Sequence, residues 1–317
     1  MKKIAQQIKR IFLYPLFILN ERVKKTNWYL NQVPDLSNYP TNDWYRNNLV
    51  RNYDIVNLGS SSAYYGFDYT GLDVKAFNWA LQPQSMEYSF RVLKNFFSIL
   101  KQDGIVIIPL SPFSGLSVEG KWSVTANDKY FHVLYPELID NYEGVASRRI
   151  YPIFKLKKLS IKKLFKDDKK LIKYKDVFLC NCSSDFEKDA ERWVNSWKNE
   201  FGIEDLNSPL SIANQKGMSL RVQLLTEMIN FCKDRNLRPI LVMQPIHPSL
   251  LKLFTEEFQK KYIYNFIEKI NRPDVPFYNH IALEEFQQDE FFMNSFFMNE
   301  NGARKYTQFF LNQVGLI

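Results

Sequence analysis

The fold is decided by the stretch Ile55-Val56-Asn57-Leu58-Gly59-Ser60-Ser61-Ser62, a short apolar run closed by a glycine and three serines. This layout is typical of a buried strand that ends in a tight turn. Two further strands are predicted at residues 74–78 and in the β-branched run 104–110, which ends before Pro112. Residues 86–100 between them carry helical apolar spacing, so the order strand, helix, strand indicates a right-handed parallel crossover.

The same pattern returns in the last third of the chain. It predicts strands at 239–243 and 276–278 and helices at 220–232, 254–270 and 303–311. The sequence therefore predicts an α/β fold, a three-layer α/β/α parallel sheet of flavodoxin-like type with a large insertion. The predicted parts are an N-terminal basic amphipathic segment (1–50), an α/β domain (51–120 and 215–317) and a basic, aromatic-rich insertion or cap (121–214).

Composition excludes several classes of protein. With 317 residues, of which 45% are apolar and 16% aromatic, the chain can bury a large core, so it is neither disordered nor collagen-like. Its three cysteines, Cys180, Cys182 and Cys232, are too few for a disulfide framework and lack the paired spacing of a zinc site. We therefore expect a globular protein of a reducing compartment, with no metal.

The positive charge is concentrated in one segment. Residues 148–176 hold twelve Lys or Arg against three Asp, while the whole chain carries a net charge of +8. Apolar residues at near-helical spacing interrupt the lysines, which describes a basic amphipathic segment. Two interpretations stay open, a solvated surface helix and attachment to an anionic membrane face. Nucleic acid is not predicted as a partner, because no helix-turn-helix, zinc-finger or RRM signature accompanies the charge.

The N-terminus is also basic and apolar. Four basic residues precede the apolar run 11–19, and three follow it. The run is shorter than the roughly 20 residues that span a bilayer, and no small residues mark a signal-peptide cleavage site after it. We expect an interfacial or domain-packing helix that is interrupted at Pro15. The predicted location is cytoplasmic, with the inner membrane face as a peripheral site.

Polar residues follow each predicted strand at the end where parallel sheets bind ligands. The first strand is followed by Ser61, on a glycine-led turn that presents a hydroxyl as a nucleophile elbow does. The others are followed by further candidate site residues, namely Asn78, Ala80, Ser111, Gln244 and His247. In the middle third, Trp193 and Trp197 are four residues apart, which favours one buried helix face over a sugar-stacking platform.

The block Asn57-Leu58-Gly59-Ser60-Ser61-Ser62-Ala63-Tyr64-Tyr65-Gly66 resembles the first motif of the SGNH/GDSL hydrolase superfamily, with Ser61 in the nucleophile position. The blocks 77–85, 105–114 and 241–248 are similar to those of the branch found in bacterial capsule and exopolysaccharide gene clusters. Members of that branch are taken to be O-acyltransferases or esterases acting on glycans. The resemblance covers about residues 50–120 and 215–317 and leaves out the basic middle.

The last block departs from the family. Active members carry Asp-x-x-His there as the acid and base of the triad, whereas this chain has Asn294 and Phe297 at those places. A phenyl ring cannot take a proton from serine, so the usual triad is absent. The resemblance implies that the backbone N–H groups of Ala80 and Ser61 hold the oxyanion, and that Ser111 stands where members carry their Asn donor.

Only three histidines can replace the missing base. His247 follows the fourth strand on the side of the sheet expected for Ser61, and it is predicted either as the base or as a supporting, substrate-contacting residue. Its candidate orienting carboxylates are Glu284, Glu285 and Asp289. His132 and His280 are expected to be polar surface or loop histidines.

Two functions follow from the sequence. The first is acyl-ester transfer or hydrolysis, O-acetyl transfer for example, through Ser61 on a glycan or lipid-linked sugar of bacterial surface-polysaccharide synthesis. Acetyl-CoA is a conceivable acyl donor, and no tightly held cofactor is predicted. The alternative is a pseudoenzyme without catalysis, which binds a glycan or a protein partner at an anionic membrane surface. Oligomeric state is left open.

Overall fold

The computed structural model describes residues 2–25, 51–116, 128–131, 133–151 and 185–317. The chain divides into two compact units, Met1–Asn48 with Ser123–Tyr174 and Leu49–Trp122 with Lys175–Ile317. His132 and most of the basic segment 148–176 lie outside the described residues, so the predictions made for them stay predictions.

The second unit is built on a five-stranded sheet in which every neighbouring pair is parallel, in the order β2-β1-β3-β4-β5. This is the order of the flavodoxin-like doubly wound fold. The predicted parallel α/β sheet is thereby confirmed. The strands are β1 (Tyr53–Asn57), β2 (Ala76–Asn78), β3 (Leu100–Leu110), β4 (Arg238–Met243) and β5 (Phe277–Asn279).

The α-helices, in chain order, are α1 (Lys2–Val23), α2 (Ser61–Gly66), α3 (Met86–Phe96), α4 (Tyr142–Ile150), α5 (Phe186–Phe201), α6 (Ile212–Lys233), α7 (Pro248–Leu251), α8 (Glu256–Gln259), α9 (Asn265–Ile270) and α10 (Glu300–Gln313). A π-helical turn at Lys260–Tyr264 joins α8 to α9. Short 3₁₀ turns lie at Phe97–Ile99, Asp128–Tyr130, Pro136–Leu138, Glu284–Phe286 and Asp289–Phe291.

Capping residues set several of these helix starts. The side chains of Ser85, Asp185, Ser211 and Asn299 each accept a hydrogen bond from a backbone N–H in the first turn of α3, α5, α6 and α10. Such caps satisfy donors that have no partner inside the helix. The cap at Ser211 starts α6 well before the predicted residue 220, so the predicted start was wrong by more than two turns.

Helices cover the sheet in two layers. On one side α6 packs on β4 and contacts both α3 and α9, while α10 packs on α2 in the other layer. The central strands are almost wholly buried between them, as Ile55, Val106 and Val242 show with no exposed surface. Burial on both faces explains why the central strands appear in the sequence as continuous apolar runs instead of alternating patterns.

The first unit is described in part, through α1, α4 and two 3₁₀ turns. Helix α1 continues through Pro15, so the predicted interruption there is wrong. Asn20 is buried, and its Nδ2 donates to the carbonyl of Ile150 at 2.8 Å, which ties α1 to the end of α4. Within the described ranges, no helix combines the length and apolar character that crossing a bilayer requires.

Candidate functional site

Ser61 is the first residue of α2, directly beyond the carboxyl end of β1, where the sequence predicts it. Gly59 makes the turn with φ 121°, and a Cβ there would come within 2.6 Å of the Ala63 Cβ, so only glycine fits. Ser60 Oγ accepts a hydrogen bond from the Gln84 N–H at 3.1 Å, which fixes the turn against the segment after β2. The predicted serine elbow is therefore present in the structure.

Asn78 is the centre of a buried hydrogen-bond network behind this elbow. Its Oδ1 accepts from Asn57 Nδ2 at 2.7 Å and from the Ala80 N–H at 3.0 Å. Its Nδ2 donates to three backbone carbonyls around the end of α2, those of Ala63, Tyr64 and Phe67. The N–H of Ala80 proposed for the oxyanion is thus engaged inside the protein, and so are both polar atoms of the Asn78 side chain.

Ser111, the next predicted site residue, lies at the end of β3. Its N–H donates to Ser114 Oγ at 2.7 Å, and the two hydroxyl oxygens are 3.2 Å apart. These contacts close a turn after the strand. The side chain of Ser111 lies at the expected edge of the sheet and forms part of that turn.

His247 makes hydrogen bonds through both ring nitrogens. Nδ1 accepts from the Ser249 N–H at 3.1 Å and so caps α7, which leaves Nε2 to donate to Asp289 Oδ1 at 2.9 Å. Of the three candidate carboxylates, Asp289 is therefore the one beside His247. The ring of Phe186 stacks on the imidazole with 3.8 Å between centroids. Ser61 makes no hydrogen bond with either histidine that the structure describes, His247 or His280.

The two residues that replace the family's acid and base have structural contacts. Asn294 Oδ1 accepts from the N–H groups of Phe296 and Phe297 at 2.9 and 2.8 Å, which closes a local turn. The Phe297 ring lies 5.1 Å from that of Tyr65 and 5.2 Å from that of Trp193. An aromatic cluster therefore fills the place that the resemblance gives to the catalytic base.

Helix α5, which belongs to the predicted insertion or cap, covers this edge of the sheet through contacts that the sequence did not predict. Asp189 accepts hydrogen bonds from the Ser295 N–H at 2.9 Å and from Ser295 Oγ at 2.6 Å, and it pairs with Arg192. Burial raises the pKa of Asp189, but the hydrogen bonds from Ser295 and Arg192 outweigh it and hold the pKa below its usual value. The carbonyl of Ser295 accepts from the His247 N–H, so this serine joins three segments.

The two tryptophans of α5 pack on the same edge of the sheet. Trp197 is buried, and its ring lies 5.0 Å from that of Phe113 and 4.9 Å from that of Phe296. Trp193 contacts Trp197 and both phenylalanines of the last block. The interpretation of this pair as one buried helix face is confirmed for Trp197.

His280 lies in the loop after β5, which is one of the two predicted places, but it is buried and not on the surface. Its Nδ1 lies 2.9 Å from Tyr306 Oη, and the ring is surrounded by Tyr278, Phe309 and Phe310. Burial lowers the pKa of His280 to about 4. This histidine is neutral near pH 7 and serves the packing of α10 on β5.

Gln244 lies immediately after β4, with 8% of its surface exposed. Its Nε2 has no hydrogen-bond partner among the described residues. Gly66 at the end of α2 makes room for it, because a Cβ at that position would overlap the amide group. Together with Ser62, these residues line a cavity at the carboxyl edge of the sheet.

The structure thus brings Ser61, Ala80, Ser111, Gln244 and His247 to one edge of the sheet, but it shows no hydrogen bond from Ser61 to a described histidine. Sequence reasoning placed Ser62 at this edge among the serines after the first strand, but it missed Gly66 and Asp189. Of these two, Gly66 had a signal, since it ends the first motif block, and Asp189 had none. In the described part of the chain, no group of three His, Cys, Asp or Glu residues could hold a metal ion.

Neither a scan against protein-family models nor a search of curated proteins finds a match to this chain. The likeness to the SGNH/GDSL superfamily therefore stays a prediction.

Proposed function

We propose that this chain is a catalytically silent SGNH-like protein of bacterial surface-polysaccharide synthesis, which binds a glycan or a protein partner at a membrane surface. The proposal rests on one observation, namely that both ring nitrogens of His247 make hydrogen bonds within the protein. A general base needs a free ring nitrogen within reach of the serine hydroxyl. Nδ1 of His247 is occupied by the Ser249 N–H, and Nε2 is held by Asp289.

The environment of the other site residues supports the same proposal. Because the Ala80 N–H already donates to Asn78 Oδ1, it would have to break that bond to stabilise an oxyanion. The ring of Phe297 fills the expected place of the base and packs on Tyr65. Acyl transfer at this site would therefore require rearrangement of several buried contacts.

Acyl transfer through Ser61 is the second candidate, and the His247–Asp289 pair favours it. In a catalytic triad, a carboxylate accepts a hydrogen bond from the histidine and so orients it. If α7 shifted so that the Ser249 N–H left Nδ1, that nitrogen would be free to accept a proton while Asp289 still held Nε2. The enzyme would then use Ser61 as nucleophile and an acyl donor such as acetyl-CoA.

A rate measurement separates the two candidates. We expect the wild-type protein to hydrolyse p-nitrophenyl acetate, and to transfer acetyl groups from acetyl-CoA, no faster than Ser61→Ala does. Ser219→Ala, at an exposed position on α6, is the matched control. A drop of about 10²-fold or more in Ser61→Ala alone would contradict the silent site and establish the enzyme.

The membrane part of the proposal rests on α1. Tyr14 and the run 16–19 are apolar and 39–66% exposed, and Arg22, Lys24 and Lys25 follow them. Exposed apolar side chains beside basic ones are typical of helices that lie in the interface of an anionic bilayer. Each basic residue near such a surface contributes about 1 kcal/mol.

Co-sedimentation with vesicles tests the membrane proposal. Binding to vesicles containing phosphatidylglycerol is expected to exceed binding to neutral phosphatidylcholine vesicles and to weaken as salt rises. Leu16→Glu should reduce it, while Ile212→Glu, a change at an 85% exposed residue of the other unit, should not. Equal binding to both kinds of vesicle, or none to either, would contradict the proposal.

A further inference from the structure

Helix α5 forms a separate cover over the carboxyl edge of the sheet. It packs on α7 and on the loops that follow the strands, so it can leave without breaking a strand pair. Its outer face is exposed to solvent and carries Glu187, Lys188, Glu191 and Arg192. Its inner residues recur every three or four positions, namely Phe186, Ala190, Trp193, Val194 and Trp197. The helix is therefore amphipathic and rests on the edge by one face.

Gly202 ends α5 and gives the chain a point at which it can change direction. It has φ 62°, and a Cβ there would meet no atom of the described residues within 4 Å. The loop that follows is fixed, because Lys261 Nζ donates to the carbonyls of Leu206 and Ser208. A glycine with a positive φ next to a fixed loop is typical of a hinge.

The opposite end of α5 is fastened by two contacts. Asp189 accepts hydrogen bonds from the Ser295 N–H at 2.9 Å and from Ser295 Oγ at 2.6 Å. One turn earlier, the ring of Phe186 stacks on His247 with 3.8 Å between centroids. Both contacts join side chains of α5 to segments that follow the strands. They have the place of a latch opposite the hinge.

The closed position of α5 leaves two buried donors unsatisfied. Trp193 Nε1 and Gln244 Nε2 have no hydrogen-bond partner among the described residues. Buried donors almost always have a partner, and one without a partner costs the free energy of its lost hydration. Water would reach the indole as soon as α5 left the edge. The closed state therefore carries a cost that the open state does not.

Phe296 narrows the cavity at this edge, and α5 keeps it there. Its ring lines the cavity and lies 5.2 Å from that of Trp193 and 4.9 Å from that of Trp197. With α5 closed, the inner part of the cavity has room for about one water molecule. Any larger ligand or partner group therefore needs α5 to move before it can enter.

From this geometry we propose that α5 is an autoinhibitory lid, which is closed in this structure and opens by rotation at Gly202. The Asp189–Ser295 and Phe186–His247 contacts are its latch. Opening uncovers the aromatic surface of Phe113, Phe254 and Phe296 and widens the cavity, so a ligand of this edge binds the open form and shifts the population toward it. The lid goes beyond the proposed function, because it does not depend on whether Ser61 reacts.

Thiol labelling under native conditions tests the lid. Ala190→Cys places a thiol on the covered face of α5 at a fully buried position, in a chain that also carries Cys180→Ser and Cys182→Ser. The natural Cys232, buried in α6, is the internal reference for global unfolding. With N-ethylmaleimide and mass spectrometry as readout, we expect the introduced thiol to react about 10²-fold faster than Cys232, because local opening is more frequent than unfolding of the sheet.

Two further substitutions distinguish a lid from general instability. Ser295→Ala removes a contact that exists only in the closed state, so it should speed labelling of the introduced thiol by about tenfold. Ile55→Val is the matched control in the core of the sheet, which stays intact when α5 opens. It should speed labelling of Cys232 by about fivefold and leave the rate of the introduced thiol unchanged.

Three results would overturn the lid. They are equal rates for the two thiols, equal acceleration of both by Ile55→Val, and no acceleration of the introduced thiol by Ser295→Ala. Val194→Cys, on the same face of α5, repeats the measurement if Ala190→Cys does not fold. None of these rates depends on catalysis, so the lid can fail while the silent site stands, and activity lost in Ser61→Ala would refute the silent site alone.

Discussion

Replacement of Asn78 by leucine should test the network behind the serine elbow. The asparagine is 7% exposed, and its side chain has hydrogen-bond contacts with five partners, of which three carbonyls share the two hydrogens of Nδ2. Leucine has nearly the same volume and can make none of them. The change therefore removes polar partners without opening a large cavity.

The size of the effect follows from the groups that lose a partner. The Ala80 N–H loses its acceptor outright, while Asn57 Nδ2 still donates to the Leu58 carbonyl at 3.2 Å. Three carbonyls at the end of α2 lose a donor as well. Four hydrogens take part in these contacts, and with about 1 kcal/mol for each, the free energy of unfolding should fall by about 4 kcal/mol. That is a large part of the stability of an ordinary domain.

Equilibrium unfolding in urea measures this loss. Asn279→Leu is the matched control, because Asn279 also ends a strand but is half-exposed, with its Nδ2 donating to Tyr264 Oη. We expect the control to cost about 1 kcal/mol or less. If Asn78→Leu costs no more than Asn279→Leu, the network does not hold the elbow and the reasoning is refuted.

Three further predictions concern other parts of the same edge. Burial lowers the pKa of His280 from 6.5 to about 4, so the unfolded chain binds a proton at a higher pH than the folded one does. The free energy of unfolding should therefore fall by about 2 kcal/mol as the pH drops through that range. In His280→Gln, urea unfolding should show that most of this pH dependence is gone. Asp189→Asn should lower the free energy of unfolding by about 1 to 2 kcal/mol near pH 7 by weakening the bonds from Ser295, and the difference should vanish as pH falls through the lowered pKa of Asp189. The double variant Asn294→Asp with Phe297→His should show only background hydrolysis of p-nitrophenyl acetate, since the oxyanion donor stays engaged; activity well above that background would show a decayed hydrolase whose oxyanion site survived.

Much of the sheet was predictable because buried parallel strands leave a strong signal. The predicted strand 104–110 lies within β3, but β3 begins at Leu100. The missed part includes Lys101 and Asp103, whose polarity is not typical of a buried strand. Asp103 also has a φ of 59°, which is not the conformation of a strand residue. The pairing with β1 is also irregular there, which shows that tertiary contacts extended the strand.

From the sequence, the site could be predicted only for residues that directly follow one strand. The edge position of Ser61 follows from the rule for parallel sheets. The sequence also shows that Phe297 stands at the place that the resemblance gives to the base. The contacts of Asp189 with Ser295 and of Phe186 with His247 join segments far apart in sequence. No local pattern encodes them, because each depends on how α5 packs on the completed sheet.

Strands β3 and β4 are neighbours although the whole middle third of the chain lies between them. Closing a longer loop costs only a logarithmic amount of entropy, about 0.6 kcal/mol for each doubling of its length. The segment inserted there can therefore grow, shrink or be exchanged during evolution with little penalty for the sheet. A lineage could redirect such a protein to a new surface or partner by rewriting the insert while it inherits the cavity unchanged.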